Sequence, residues 1–232
     1  MREVWWCFIL ISDVYFIVSL ASVRNVRLID HTSYATSIIQ KTMSKVEQRC
    51  WCNLKINEMR FNVSEQVLNK PIYATIDLKD GFVVSIQKID IIKNTIQQVW
   101  LTSNNMSNVE VRSTVRMMNV AMGFDVITKM NEKISHSTGL IVYPEIQFRF
   151  TITKNLFTDV IKVDIIGGPI RTTNRIQFIP ENDVTKVFTV LFDWNSTAIS
   201  VASWATDIFR PITLELATKE IEFPRICYDC PA

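Results

Sequence analysis

The stretch from Asp183 to Phe223 limits the possible folds of this chain more than any other. Its apolar residues return every three or four positions, as Val184, Phe188, Leu191, Ala198, Ala202, Ala205, Phe209, Ile212 and Leu216. A second stripe lies beside the first: Val187, Val190, Trp194, Val201, Trp204 and Ile208. This is helical periodicity with an unusually wide apolar face. Asp183 is the expected N-cap, and Pro211 is expected to kink the helix or end it near Phe209. At about 1.5 Å of rise per residue, such a helix is longer than one face of an ordinary domain. It needs a partner that surrounds it.

The partner is upstream. From Pro71 the apolar period drops to two, with Ile72, Ala74, Ile76 and Leu78 alternating with polar neighbours. Asp80-Gly81 reads as a two-residue hairpin turn, after which Phe82, Val84 and Ile86 begin a return strand. Val109, Val111, Ser113 and Val115 alternate next, and the alternation resumes in the other phase as Met118, Val120, Met122, Phe124 and Val126. That phase change predicts a bulge or bend near Met117. Asn131 to Gly139 is expected to be a loop. Ile146, Phe148, Phe150 and Ile152 form a half-buried strand, and Ile161, Val163 and Ile165 another, which Gly167-Gly168-Pro169 breaks. Ahead of all this, Asp30 is expected to cap a helix reaching Arg49, with Ala35, Ile38, Ile39, Met43 and Val46 on its apolar face. The order is helix, antiparallel meander, long helix: an α+β chain.

The first residues read as a secretory leader. Arg2 precedes a mostly apolar run from Val4 to Leu20, and Ser19-Leu20-Ala21 offers small residues at the cleavage positions. The leader is expected to be 1–21, leaving 22–232 as a single elongated domain with no integral membrane segment. Its removal takes Cys7 and leaves Cys50, Cys52, Cys227 and Cys230, an even set. Disulfides with three possible connectivities suit an oxidising compartment, and a link from Cys50 or Cys52 to Cys227 or Cys230 would join the chain's two ends. A four-thiolate zinc site is the competing use, and the C-x-C spacing of Cys50 and Cys52 argues against it. Three glycosylation sequons begin at Asn62, Asn105 and Asn195.

Motifs for catalysis are missing. The two histidines, His31 and His136, have no Cys, Asp or Glu cluster beside them in sequence. There is no Gly-x-Ser-x-Gly elbow, phosphate loop, dinucleotide fingerprint or His-Glu-x-x-His. No cofactor and no metal is expected, and the chain is not expected to be an enzyme. A formal charge of +2 without a Lys/Arg cluster excludes a nucleic-acid surface. What remains is apolar surface rich in methionine and phenylalanine. It suits either a solid core or a pocket for a greasy ligand. Parity groups Met118, Val120, Met122, Phe124, Phe148 and Phe150 on the sheet, with Trp204, Ile208 and Phe209 facing them from the helix.

The run from Asn108-Val-Glu-Val-Arg-Ser-Thr-Val-Arg to Met118-Asn-Val-Ala-Met-Gly-Phe-Asp-Val126 resembles arthropod proteins related to the group-seven allergens of house dust mites. So does the passage through Gly139 into Ile146-Gln-Phe-Arg-Phe-Thr-Ile152. The resemblance spans about Pro71 to Phe223. The C-x-C and C-x-x-C pairs and Pro211 depart from the family's pattern. It implies a tubular lipid-binding fold, in which a strongly curved antiparallel sheet wraps around a long C-terminal helix. It also implies kinship with juvenile-hormone-binding, takeout and bactericidal permeability-increasing proteins. The implied partner is a hydrophobic small molecule (a lipid, fatty acid or terpenoid hormone) held between sheet and helix by a secreted carrier. The other reading is an interaction protein that contacts lipid assemblies or microbial surfaces through an exposed edge or tip. The leader sets the first test: N-terminal sequencing of protein recovered from insect-cell medium is expected to begin near Ser22, and retention of Met1 would refute it.

Overall fold

The computed structural model describes residues 26–67, 70–103, 106–130, 133–171, 176–191, 195–228 and 230. The expected leader, its cleavage point at Ser22, Trp194 and the Asn105 sequon position lie outside the described residues. By its contacts the chain divides into two compact units. One consists of the two ends of the chain and holds β1 (Arg27–Leu28). The other runs from Asp30 to Phe223.

The larger unit opens with α1 (His31–Gln48), whose buried face is Tyr34, Ala35, Ile38, Ile39, Thr42, Met43 and Val46. All five apolar positions expected from periodicity are on that face. Asp30 precedes the helix in a left-handed conformation, and its side chain makes no capping hydrogen bond. Strands β2 (Lys55–Ile56), β3 (Met59–Val67), β4 (Lys70–Ile91), β5 (Gln97–Ser103), β6 (Met106–Met130), β7 (Lys133–Asn155), β8 (Ile161–Arg171) and β9 (Gln177–Ile179) follow. They form one eight-stranded antiparallel sheet in the order β2-β4-β6-β7-β8. The short strands β3, β5 and β9 fill the lengths of β4, β6 and β7 that the others leave unpaired. The sheet is five strands wide and open at both edges.

Three expectations change here. Asp80-Gly81 does not turn the chain. Lys79 pairs with Asp125 and Phe82 with Gly123, so two residues oppose Phe124 alone, and β4 continues through a bulge with Asp80 at φ 49°. Asn-Gly and Asp-Gly turns share their positive φ with bulges, so the local signal was real and its context differed. The expected loop from Asn131 to Gly139 is largely strand, because Lys133 to Gly139 pairs with β6 along its whole length. Gly167-Gly168-Pro169 does not break β8, which runs on to Arg171.

The phase change in β6 is present and falls at Asn119. Inward side chains are Val109, Val111, Val115 and Met117 before it, and Val120, Met122, Phe124 and Val126 after it. β7 changes phase opposite, from Ile141 and Tyr143 to Ile146, Phe148, Phe150 and Ile152. Met118 pairs with Glu145 and Val120 with Tyr143, which leaves Asn119 and Pro144 outside the ladder together. Asn119 has φ 47°, which asparagine tolerates, and Pro144 has no N–H to donate. In β8 the register also slips, between Arg171 opposite Glu145 and Pro169 opposite Ile146. On the other side the Asn119 amide donates to Gln87 Oε1 of β4. A line of unpaired residues, Gln87, Asn119 and Pro144, therefore crosses β4, β6 and β7 and meets the register shift in β8, and such a line lets a sheet bend.

The C-terminal segment begins with α2 (Asp183–Leu191). Asn182, one residue before the expected cap, closes its start. Its Oδ1 accepts from Thr185 N–H at 2.9 Å, and its own N–H donates to Thr185 Oγ1 at 2.8 Å. Then comes one helical run, α3 (195–220): α-helical over Asn195–Ser203, a wider π turn over Trp204–Phe209, α-helical over Arg210–Glu215, and a second π turn over Leu216–Glu220. Pro211 does not end it. The Arg210 N–H reaches back five residues to Ala205 O, and the widened turn removes the clash a proline ring makes with the carbonyl four residues before it.

α3 touches both sides of the open sheet. Trp204 Nε1 donates to Lys55 O of β2 at 2.6 Å, and the Asn57 N–H to Ser200 Oγ at 3.0 Å. At the opposite edge the helix packs on β8 along most of its length. A flat sheet five strands wide has edges ~19 Å apart, against ~10 Å for a helix with its side chains. The sheet must curve around α3 to meet it at both edges.

In the unit of the chain ends, β1 pairs antiparallel with β10 (Ile226–Cys227), and Ile29 N–H donates to Arg225 O at 2.9 Å. Cys227 and Cys230 lie with their sulfurs in bonding reach, while Cys50 and Cys52 are thiols. A bridge inside the C-x-x-C is thus one pairing open to the tail cysteines. Of the sequons, Asn62 is exposed on β3 and Asn195 begins α3.

Asn119 supplies the test of the bend. Asn119→Val puts a β-branched residue at a left-handed position and is expected to cost ~1–2 kcal/mol, read as a lowered midpoint of urea unfolding. Asn119→Gly should leave the midpoint within about 0.5 kcal/mol of the parent.

Candidate functional site

Seven of the nine side chains singled out from the sequence meet between sheet and helix. Val120, Met122, Phe124, Phe148, Phe150, Trp204 and Phe209 are all buried. Met118 is turned to the other face and half-buried, with Met117 in the interior instead. The reason is the position of the phase change: it follows Met118 rather than preceding it, so Met118 keeps the outward parity of the first half of β6. Ile208 is also half-buried and lies off the helix's inward stripe. Trp204 and Phe209 are five residues apart, a spacing that shares a face in a π turn and not in an α-helix.

Two aromatic rings tie the layers. Phe148 and Phe209 meet edge to face with centroids 4.8 Å apart and planes at 81°. Phe148 also lies against Gly167, its register partner on β8, so closely that a Cβ built on Gly167 would be 2.3 Å from two ring carbons. Phe124 stands in the same relation to Gly81 of the bulge, where a Cβ would be 2.7 Å from the ring. Glycine in a strand usually weakens it, but here each glycine is the space an aromatic ring occupies. Farther along, Tyr143 OH and Thr197 Oγ1 are hydrogen-bonded in the interior.

α1 covers the second half of α3. Thr42 and Thr213 are hydrogen-bonded in the buried contact at 3.1 Å. Lys45 Nζ donates to Glu220 at 2.5 Å, and this ammonium holds the Glu220 carboxyl below its ordinary value. Tyr34 packs edge to face on Phe223 at 5.2 Å, and burial pushes its phenol up. Where α1 ends, the two helices leave a groove of about 550 Å3. Val46, Ile208, Pro211 and Ile212 give it an apolar floor, and Arg49, Asn53, Asp207 and Glu215 a polar rim. Ile208, displaced from the core by the π turn, is thus a groove residue. Arg49 and Asn53 were not identified from sequence, because only the fold brings the end of α1 beside α3.

A second, shallower cleft of about 390 Å3 lies on the sheet, lined by Lys79, Asp80, Asp125 and His136 among others. The fold gives His136 carboxylate neighbours that its sequence neighbourhood lacks. Even so, among the described residues no three His, Cys, Asp or Glu side chains are placed to hold a metal ion. Nor is any described helix long and apolar enough to cross a membrane.

No family model matches the chain, and no curated protein matches it. Among solved structures the chain is similar to a crystal structure of lipopolysaccharide binding protein, with TM-score 0.49 and 4% identity. The match covers 84% of this chain and 40% of that one, so the chain spans about two fifths of that protein's length.

The ring-over-glycine contacts can be tested as a pair. Gly167→Ala must displace Phe148, which Phe209 holds from the other side, and is expected to cost ~1–3 kcal/mol by overpacking. Gly168, where an added Cβ meets nothing within 4 Å, is the control. Gly168→Ala should leave the denaturation midpoint nearly unchanged.

Proposed function

We propose that this protein is a secreted, non-enzymatic carrier for an apolar or amphipathic small molecule such as a lipid, fatty acid or terpenoid hormone. The observation that carries this reading is the groove between α1 and α3. Its volume of about 550 Å3 lies within the range of small-molecule sites, roughly 300–1,000 Å3. An apolar floor with a rim of Arg49, Asn53, Asp207 and Glu215 matches a molecule with a greasy body and a polar end. Each methylene taken out of water contributes about 0.8 kcal/mol, so a chain of modest length binds without a buried charge. The floor is continuous with α3, so the groove opens onto the same helix whose inner side packs against Phe148. The ligand's apolar body lies on Val46, Ile208, Pro211 and Ile212, while Met122, Phe124, Phe148, Phe150, Trp204 and Phe209 form the packed core behind α3.

A second reading has its own observation. At the turn between β7 and β8, Phe157 is 73% exposed and Val160 50% exposed, and Ile166 and Ile170 are exposed along the edge strand β8. Such a tip and edge suit docking on a lipid assembly.

One set of measurements separates the two. Native mass spectrometry of protein recovered from a secreting culture, followed by organic extraction, is expected to show a retained lipid-like mass. A fluorescent polyene fatty acid should bind the parent protein. Ile208→Trp, which fills the groove, should weaken that binding at least about tenfold, equivalent to ~1.4 kcal/mol, with the melting temperature as control. If the parent neither retains nor binds any such molecule, while it sediments with anionic vesicles in a manner lost in Phe157→Ser, the docking reading replaces the carrier.

A further inference from the structure

Cys50 and Cys52 lie in the turn that follows α1, and neither the groove nor the core uses them. Both thiols are exposed. α1 ends at Arg49, and Cys50 then takes φ 70°, a conformation costly for any residue but glycine. Surrounding bonds hold it there. The Asn53 amide donates to Arg49 O, Asn53 N–H donates to Cys50 O at 3.1 Å, and Leu54 N–H to Trp51 O at 2.9 Å. Leu54 itself is fully buried and pins the turn to the core. The effect of this strained, anchored turn is to aim one sulfur at the other. Cys52 Sγ donates to Cys50 Sγ at 2.7 Å, and Cys52 N–H also donates to that sulfur at 3.4 Å. Two unbonded sulfurs in loose contact rest farther apart than this.

We propose that Cys50-Trp51-Cys52 is a thiol–disulfide exchange site that reacts with a small-molecule disulfide of the glutathione type. The Cys50 thiolate attacks one sulfur of the small disulfide. A bond forms between them, the small molecule's S–S bond breaks, and one thiolate leaves with its electron pair. Cys52 then loses its proton to solvent and attacks Cys50 Sγ. This forms the Cys50–Cys52 bridge and expels the second small thiolate. Two protein thiols lose two electrons and two protons, and one small disulfide becomes two thiols. The roles are already unequal. The hydrogen bond from the Cys52 thiol lowers the pKa of Cys50, while giving that bond raises the pKa of Cys52. A nucleophile and a resolving thiol need this division.

Trypsin provides the readout, because cleavage after Arg49 and Lys55 places both cysteines in one peptide. Reduced protein is equilibrated with glutathione and glutathione disulfide at increasingly oxidising ratios, trapped with iodoacetamide and digested. The peptide is expected to pass from a doubly alkylated form to an unlabelled form lighter by two hydrogens, and to return when reduced glutathione is added. Cys52→Ser should stop at a glutathione adduct on Cys50. Cys50→Ser should form its adduct more slowly at neutral pH, because the remaining thiol has lost the partner and the activated sulfur is gone. The proposal is overturned if both cysteines remain alkylated or carry separate adducts at the most oxidising ratio. It is equally overturned if the two serine variants react at the same rate. Failure here leaves the carrier reading untouched, since the groove and its probe are measured separately.

Discussion

The contact that the rest of this structure depends on is a phenylalanine ring held between a glycine and another ring. Phe148 rests on Gly167 below and meets Phe209 edge to face above. It thereby fixes the distance between the edge of the sheet and the long helix. The missing Cβ on Gly167 lets the ring lie close to β8, and the π turn brings Phe209 into line with Trp204 to meet it. Trp204, in turn, donates to Lys55 at the sheet's other edge. The same short length of helix is therefore bound to both margins of the sheet, and the bend across β4, β6, β7 and β8 is the geometric condition for that.

Much of this could be read from the residues. Period-two alternation located β4, β6, β7 and β8 but not β3, and period 3.6 located α1 and the stretch that holds α2 and α3. The phase change in β6 marked the bend to within two residues. What could not be read was how local signals combine. Asp80-Gly81 carries the backbone chemistry of a turn and of a bulge equally, and only the pairing with β6 selects the bulge. Gly167-Gly168-Pro169 carries the composition of a break. It sits in a strand because an aromatic ring on the neighbouring strand occupies the space a side chain would take. Pro211 is a helix breaker by its own chemistry, overruled by a widened turn that also serves the core.

The candidate site divides along the same line. Side chains grouped by parity came out together where the parity was right, and Met118 came out on the wrong side because the phase change lies one residue beyond it. The groove residues Arg49 and Asn53 had no signal of their own. They matter because of where α1 stops, and the end of a helix is among the least legible features of a sequence. The cysteines show the same limit. Counting gave an even set and left the pairing open, and the fold brings Cys227 and Cys230 of the tail together.

The position of Asn119 has a consequence for how such a chain tolerates change over generations. Before it the interior side chains of β6 have odd numbers, and after it they have even ones. Each panel of the sheet keeps its own count, and the unpaired residue resets it. Elsewhere in β6, losing or gaining a single residue turns every later side chain in that panel inside out, exposing valines and phenylalanines together. Losing two leaves the facing intact and shortens the strand. Lineages descended from this sequence should therefore vary in strand length by pairs of residues, with single steps gathered at the crease.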